Sequence, residues 1–239
     1  MRFKFVRNED NFVILAATGE YKINITELNV EFRKIGVDTA IMKRELAAFE
    51  SGQPYIMPFL NSKFFVKTIP AGISSYMTDL VRGKLPQQLL LFFVRHDAYN
   101  ADASKNPYVF ENLDITNLVF KLNGDTAPLR PYRPNFKASP VDCHREYQHL
   151  MNTIGIKRLN SGVGITLKDF AKHCCIFTLD NTPEQCNNNH VHIGTSGSIG
   201  LEMTFGTQTA VNYQMLAYGI YPTIAKIENN YEVKLVDAV

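Results

Sequence analysis

The sequence of 239 residues contains no tryptophan, and it has no run of about 18 apolar residues that could span a bilayer. An excess of one charge is also missing, because 25 Lys and Arg residues face 23 Asp and Glu residues and leave a formal net charge of +2. This balance does not supply the basic surface typical of nucleic-acid-binding proteins. The N-terminal sequence, MRFKFVRNED, lacks the apolar core of a signal peptide. We therefore expect no membrane span, no direct nucleic-acid binding and no secretion.

Cysteine is scarce as well. The four cysteines (Cys143, Cys174, Cys175 and Cys186) are too few to form a disulfide framework in a chain of this length. Two of them are adjacent in the apolar run HCCIFTL, where a free cysteine behaves as a small buried hydrophobic residue. The sequence therefore predicts reduced, structural thiols.

Catalytic motifs are absent too. Residues 194–200 (GTSGSIG) have neither the Gly-x-Ser-x-Gly order of a nucleophile elbow nor the Gly-Lys-Ser/Thr of a phosphate loop. Residues 162–164 (GVG) lack the third glycine of a dinucleotide-binding motif. We expect a protein that is not an enzyme, with no catalytic residue, no cofactor-binding residue and no cofactor.

Cys186, His190 and His192 form the one cluster with metal-ligand chemistry. A Cys-x3-His-x-His run can offer three ligands to zinc, but the Cys-x2-Cys spacing of a structural zinc site is missing. In the alternative interpretation, the asparagines at 187–189 mark a solvent-exposed loop and His192 begins a strand. We expect no bound metal, although the sequence leaves this cluster open.

Alternation of apolar and polar residues dominates the chain. It is longest in residues 21–33 (YKINITELNVEFR), where the apolar positions slip by one near Glu27, as they do at a β-bulge. Turn pairs such as Asn123-Gly124 separate further short segments that are rich in strand-forming residues. These further predicted strands cover residues 2–7, 12–17, 64–69, 88–95, 115–122, 175–180, 199–205, 211–218, 223–228 and 231–236. With no linker or repeat, the pattern predicts one all-β domain over residues 1–239.

Two segments have helical periodicity instead. Asp38 is expected to cap a helix that ends at Glu50. Asp142 is expected to cap a second helix that ends at Thr153 and stops at Gly155. Both lie between predicted strands, so we expect them in loops at the ends of a sandwich.

Aromatic and proline residues suggest a protein–protein interface. The chain has 16 Phe and 11 Tyr. Many of these aromatics lie between residues 55 and 136: Tyr55, Phe59, Phe64, Phe65, Phe92, Phe93, Tyr99, Tyr108, Phe110, Tyr132 and Phe136. Residues 128–140 (PLRPYRPNFKASP) predict an extended arm that crosses a surface or clasps a neighbour. Exposed aromatics beside such an arm favour an interface, although each of them also fits an aromatic-rich core.

Short segments along the chain provide a further line of inference. They are, in order, IPAGI at 69–73, LPQQLLLFFVR at 85–95, HDAYN at 96–100, KNPYVF at 105–110, LNG at 122–124, PYRPNF at 131–136, TIGI at 153–156 and IFTLD at 176–180. In order and spacing they resemble the C-terminal half of double jelly-roll major capsid proteins, closest to the capsid-like proteins of Maverick/Polinton elements and adintoviruses. The similarity covers residues 3–236.

The resemblance implies a jelly-roll β-sandwich of two antiparallel sheets in Greek-key order, with two short helices in loops. It also implies a structural capsid protein that self-assembles as trimers of an icosahedral shell. Its partners would be itself and other capsid proteins, and it would be located in the virion after synthesis in the host cytoplasm or nucleus. Met1 corresponds to the middle of a family member, which leaves open whether another roll precedes it and whether this is a major, minor or penton protein.

Two other classes of protein stay open. A ligand- or receptor-binding β-sandwich, lectin-like or of the spike or penton type, would have a concave pocket and would not need to form oligomers. A cupin-like metalloenzyme would need Cys186, His190 and His192 to converge on a metal inside the sandwich.

Overall fold

The structure, a computed structural model, describes residues 4–19, 21–156, 162–183, 192–229 and 232–237. Within these residues the strands form two antiparallel sheets. The strands are β1 (Tyr55–Ile69), β2 (Ser75–Lys84), β3 (Gln88–Arg95), β4 (Ile115–Leu122), β5 (Asp125–Tyr132), β6 (Ile176–Asp180), β7 (Ser196–Phe205), β8 (Tyr213–Ile227) and β9 (Val233–Asp237). The helices are α1 (Asp10–Val13), α2 (Thr39–Glu50), α3 (His96–Tyr99), α4 (His144–Thr153) and α5 (Leu167–Lys172).

The strand order is that of a jelly roll. One sheet has the order β1-β8-β3-β6, with β9 also paired to β8, and the other has the order β2-β7-β4-β5. The pairs β1–β8, β2–β7, β3–β6 and β4–β5 are all antiparallel neighbours, as if one long hairpin had been wrapped into two layers. This is the Greek-key arrangement of eight-stranded jelly rolls. The predicted fold class is confirmed.

The tip of that wrapped hairpin is the predicted Asn123-Gly124 turn. Leu122 and Asp125 are paired across it, and the φ angles of Asn123 and Gly124 are 53° and 94°. Two consecutive positive φ angles define the two-residue turn that best matches the twist of a hairpin, and Asn-Gly is its preferred sequence. The Asn123 Oδ1 also accepts a hydrogen bond from the Ser198 backbone N–H at 2.8 Å, which joins the tip to β7.

The core lies between the two sheets. In β7 the buried residues are Ile199, Leu201, Met203 and Phe205, with more exposed residues between them, which is the period of two expected for a strand with one face on a core. The other sheet supplies Leu89, Leu91 and Phe93 from β3. Each of these side chains stabilises the fold by about 1.5–3 kcal/mol through burial.

The two predicted helices differ in their packing. Asp38 caps α2, since its Oδ1 accepts the Ala40 N–H at 2.8 Å, but none of the residues of α2 is buried. The second helix, α4, packs on β6 and buries Leu150. Its predicted stop at Gly155 is confirmed by a φ of 82° and a bond from its N–H to Asn152 O at 3.0 Å.

The predicted cap at Asp142 is wrong. The N-cap position of α4 is occupied by Cys143, and no side chain accepts a hydrogen bond there. Asp142 lies one residue too early because its backbone N–H and C=O both pair with Asn135, which closes the preceding loop.

Several strand predictions were also wrong. Residues 21–33 form neither a strand nor a helix, and residues 4–7 are not a strand. Of the strand predicted at 12–17, residues 12–13 belong to α1 and residues 14–17 form no regular element. The predicted strands 211–218 and 223–228 are one continuous strand, β8. The prediction at 231–236 corresponds to β9, and residue 231 lies outside the described residues.

The predicted proline arm is largely part of the fold. Its first residues belong to β5, a strand at the edge of its sheet, and Tyr132 is buried at the end of that strand. Proline is compatible with an edge strand because the missing N–H then faces solvent and no ladder bond is lost. The sequence of β5 therefore indicates an irregular proline-rich segment, although β5 forms the edge strand of its sheet.

Candidate assembly surface

The outer face of the five-stranded sheet, which points away from the core, is apolar. Opposed residues of an antiparallel pair point to the same side of a sheet. Two rows cross β1, β8 and β3 on this face, Phe64–Tyr218–Leu90 and Val66–Leu216–Phe92. The rings of Phe64 and Tyr218 lie 4.8 Å apart, yet Phe64 keeps 60% of its surface exposed.

One end of this outer face is covered by the chain itself. Phe92 contacts Phe110 with ring centroids 4.5 Å apart, and Val94 and Leu216 pack with Ala98 of α3 into a small second core. The β1 half of the face has no such cover among the described residues, since Ile56, Leu60, Phe64 and Val66 are all exposed. The covered end shows that this face is able to pack against other elements.

Beyond the sandwich, the sheet continues as a ribbon of β1, β8 and β9. Residues 55–59 of β1 pair with residues 223–227 of β8, and these pair with β9. Tyr55, Met57 and Phe59 lie on the core side of β1 but are exposed, so the opposite sheet does not cover the ribbon. Both faces of the β1 part of this ribbon are therefore exposed.

The N-terminal part of the described chain is exposed to a similar degree. Its exposed large hydrophobic residues are Phe5, Val6, Val13, Leu15, Tyr21, Ile23, Ile25, Leu28, Val30, Phe32, Ile35, Val37, Ile41, Met42 and Leu46. Soluble monomers rarely expose so many contiguous apolar residues, and larger exposed patches mark interaction sites. We define the candidate assembly surface as the outer face, the ribbon and residues 21–50.

The aromatic residues that the sequence singled out divide between core and surface. Phe93 and Tyr132 are fully buried. Phe65, Phe92, Phe110 and Phe136 are half-buried. Tyr55, Phe59, Phe64, Tyr99 and Tyr108 are exposed, and three of these five belong to β1.

A cleft beside Tyr132 is one of several concave sites among the described residues. It has a volume of about 400 Å³ and is lined mainly by residues of β5, α4, β6 and the segment after β6. The Tyr132 hydroxyl donates to Thr178 O at 2.8 Å and lies 2.7 Å from His149 Nδ1. The Tyr132 hydroxyl has one proton, which it donates to Thr178 O. The His149 Nδ1 must therefore carry a proton and donate it to the Tyr132 oxygen.

This cleft has little acid–base chemistry to offer. Burial raises the pKa of the Tyr132 phenol, so the group stays protonated. The Asn152 Oδ1 is buried at the cleft with no hydrogen-bond partner among the described residues. The arrangement suits a structural polar cluster or a neutral hydrogen-bonding ligand.

The proposed metal cluster is not tested by the structure. Cys186 and His190 lie outside the described residues, while His192 lines a groove beside Leu85 and Pro222. Within the described ranges, no group of three metal-ligating side chains comes together. Three cysteines are described and all are free, and burial raises the pKa of the Cys143 thiol to about 11, which disfavours the reactive thiolate.

The described part of the chain contains no helix long and apolar enough to cross a membrane.

Similarity to known proteins is low in sequence. No family model matches the sequence. An uncharacterised protein of Caenorhabditis elegans is 23% identical over 208 residues, which cover 84% of this chain and 49% of that protein. The chain therefore spans about half the length of the curated relative that it matches.

The solved structures to which the chain is similar include virophage and viral proteins. A chain in the Sputnik virophage structure has a TM-score of 0.46 at 15% identity, covering 78% of this chain and 39% of its own length. The mavirus major capsid protein has a TM-score of 0.38 at 8% identity, with 78% and 41% covered. PBCV-1 VP54, fitted into a Sputnik reconstruction, has a TM-score of 0.46 at 9% identity, with 85% and 55% covered. At these scores we base the jelly-roll assignment on the strand order of the chain itself.

Proposed function

We propose that this chain is a jelly-roll domain of a viral or transposon-encoded capsid protein, related to the double jelly-roll major capsid proteins of Maverick/Polinton elements and adintoviruses. It has a structural and not an enzymatic role, acts without a cofactor, and assembles with itself and other capsid proteins into trimers of an icosahedral shell in the virion. The observation that carries this proposal is the apolar, uncovered outer face on a jelly-roll sandwich.

The physical argument rests on burial and charge. An exposed apolar face gains free energy when another surface covers it, at about 25 cal/mol per Å². A net charge of +2 produces little long-range repulsion between copies. The exposed apolar face and the low net charge disfavour an isolated copy in water. The same features favour packing of many identical copies, as a shell requires.

The test is the solution mass by light scattering over a concentration series, with negative-stain imaging of the same samples. We expect the mass to approach three times 27.1 kDa, or larger rings and shells. Phe64→Asp introduces a charge on the outer face and is expected to raise the concentration needed for assembly at least tenfold.

Leu129→Asp is the matched control, because Leu129 is 90% exposed but lies on β5, at the far edge of the other sheet. It should leave the mass unchanged, and circular dichroism should show both variants folded. A wild-type chain that stays monomeric at every concentration would contradict self-assembly of this chain. Equal effects of the two variants would contradict the outer face as the contact.

The ligand-binding alternative is favoured by one observation, the cleft beside Tyr132 with its buried, unpartnered Asn152 Oδ1. A neutral ligand with a hydrogen-bond donor would satisfy that oxygen. Its test is nuclear magnetic resonance titration with a library of neutral sugars and amides. Shifts confined to residues around the cleft, in a chain that stays monomeric, would favour this function over a capsid role.

A further inference from the structure

We propose that residues 21–33 of one copy add as an antiparallel strand to the open edge of β1 in a second copy. The inference rests on the proposed self-assembly and names one of the contacts that produce it. Addition of a strand to an open sheet edge supplies main-chain hydrogen bonds for affinity and alternate side chains for specificity.

The donor segment has the sequence of a strand without the structure of one. Residues 21–33 alternate between apolar and polar positions, yet they form no strand. Between residues 24 and 31, no backbone hydrogen bond is made to another described residue. Ile25, Leu28 and Val30 are exposed. The segment therefore carries both the backbone groups and the apolar side chains that a sheet edge would pair and cover.

The acceptor is the whole length of β1. This strand of 15 residues pairs with β8 on one side, and no described strand pairs with its other side. Long, exposed edge strands are sites of pairing between chains, and proteins usually shield them with short length, bulges or a covering element. β1 continues without a register shift from Tyr55 to Ile69, so neither short length nor a bulge shields its edge. Its edge does carry Pro58, Lys63 and Lys67, and the lysines disfavour pairing except with a segment of opposite charge.

Charge complementarity selects the register. Glu27 and Glu31 of the donor are four residues apart and exposed, as are Lys63 and Lys67 of the acceptor. An antiparallel pairing that places Glu31 opposite Lys63 also places Glu27 opposite Lys67. Opposite charges across a strand pair are stabilising, and both pairs form in this single register.

The same register also aligns the apolar residues that follow the slip near Glu27. It places Val30 opposite Phe64 and Leu28 opposite Val66. Phe64 and Val66 belong to the outer face, so the added strand would extend that face by one apolar row. A slip by one residue would put charged side chains opposite apolar ones on both faces.

Orientation and partner follow from the remaining geometry. The strand pairs described within this chain are all antiparallel, and antiparallel ladders are slightly more stable per residue than parallel ones. Within one copy the donor segment does not lie on β1, although only α2 and two short connections separate the two elements. A second copy therefore provides the edge, and exchange around a ring would give each copy one donor and one acceptor.

The test is disulfide cross-linking between two single variants, Val30→Cys and Phe64→Cys, mixed under conditions where light scattering detects oligomers. Directly opposed strand residues lie within the distance that a disulfide bridges. We expect a covalent dimer on a denaturing gel that contains one chain of each variant. Val30→Cys mixed with Val66→Cys, which is offset by two residues on the same face, is the matched control and should cross-link at least tenfold less.

A charge-reversal series completes the test. Lys63→Glu with Lys67→Glu in the acceptor should reduce the yield of the Val30–Phe64 cross-link by about tenfold, and Glu27→Lys with Glu31→Lys in the donor should restore it. This rescue distinguishes pairing from loss of folding.

Oligomers that form without the cross-link would overturn the strand addition and leave the proposed function standing. Stronger cross-linking of Val30 with Val66 would overturn the antiparallel register. Cross-linking only within a double variant, Val30→Cys with Phe64→Cys in one chain, would overturn exchange between copies. A chain that stays monomeric would overturn this inference and the proposed self-assembly together.

Discussion

Replacing Tyr132 by phenylalanine removes one oxygen atom from the core and makes a sharp test of the packing described above. Tyr132 is 1% exposed, and its ring contacts Phe120 and Phe177 edge-on or tilted at centroid distances of 6.4 and 5.9 Å. Phenylalanine keeps these contacts because its ring has the same shape. The substitution therefore isolates the hydroxyl group.

The expected cost follows from the two hydrogen bonds that the hydroxyl makes. Its loss leaves Thr178 O and the His149 Nδ1–H without this partner. A buried polar group that loses its partner costs about 1–3 kcal/mol, but His149 is only half-buried and can turn towards water. We therefore expect Tyr132→Phe to lower the free energy of unfolding by about 1–3 kcal/mol, most of it from the Thr178 carbonyl.

Urea unfolding followed by tyrosine fluorescence and circular dichroism measures this difference. Tyr108→Phe is the matched control, since Tyr108 is 65% exposed and its substitution should change the free energy of unfolding by less than about 0.5 kcal/mol. Equal midpoints and equal slopes for the two variants would refute the hydrogen-bonded cluster around Tyr132. A changed slope would instead indicate an altered unfolded state, and the comparison would then need thermal unfolding.

Two further predictions concern the turn and one buried acid. Gly124 has a φ of 94°, so Gly124→Ala should lower the free energy of unfolding in urea by about 1 kcal/mol. Gly36→Ala is the control, because Gly36 has no positive φ and a Cβ there would lie in open space. Equal effects of the two substitutions would contradict the turn geometry. Burial raises the pKa of Glu146, so its folded pKa lies above its unfolded one, and stability is lost as the pH rises through that interval. Glu146→Gln should remove this decline in a series of melting temperatures against pH, and an unchanged decline would contradict the assignment.

Strands with two buried faces or a regular alternation could be predicted from the sequence. Residues 88–95 and 115–122 were predicted with the bounds of β3 and β4, because continuous or alternating apolar residues reflect burial directly. β2 was missed, since its sequence SYMTDLVRGK is polar and the register shifts between Asp79 and Val81. A bulge interrupts the alternation that sequence reasoning depends on.

The sequence could predict that the chain has an aromatic-rich interface, but not where on the fold this interface lies. Aromatic abundance indicated an interface, yet Phe93 and Phe64 look alike in sequence while one is buried and the other is exposed. Phe64 is exposed because β1 lies at the sheet edge and its even-numbered residues point to the outer face. Phe93 is buried because it points to the core from β3. Both depend on long-range pairing, which local patterns do not contain.

The failed strand prediction at residues 21–33 and the open edge of β1 have one physical explanation. Alternation describes the faces of a strand, but a strand forms only where its backbone groups find partners, and this segment finds none on its own sandwich between residues 24 and 31. The edge of β1 likewise lacks a strand partner among the described residues. Glu27 and Glu31 match the spacing of Lys63 and Lys67, as the proposed strand addition between copies requires.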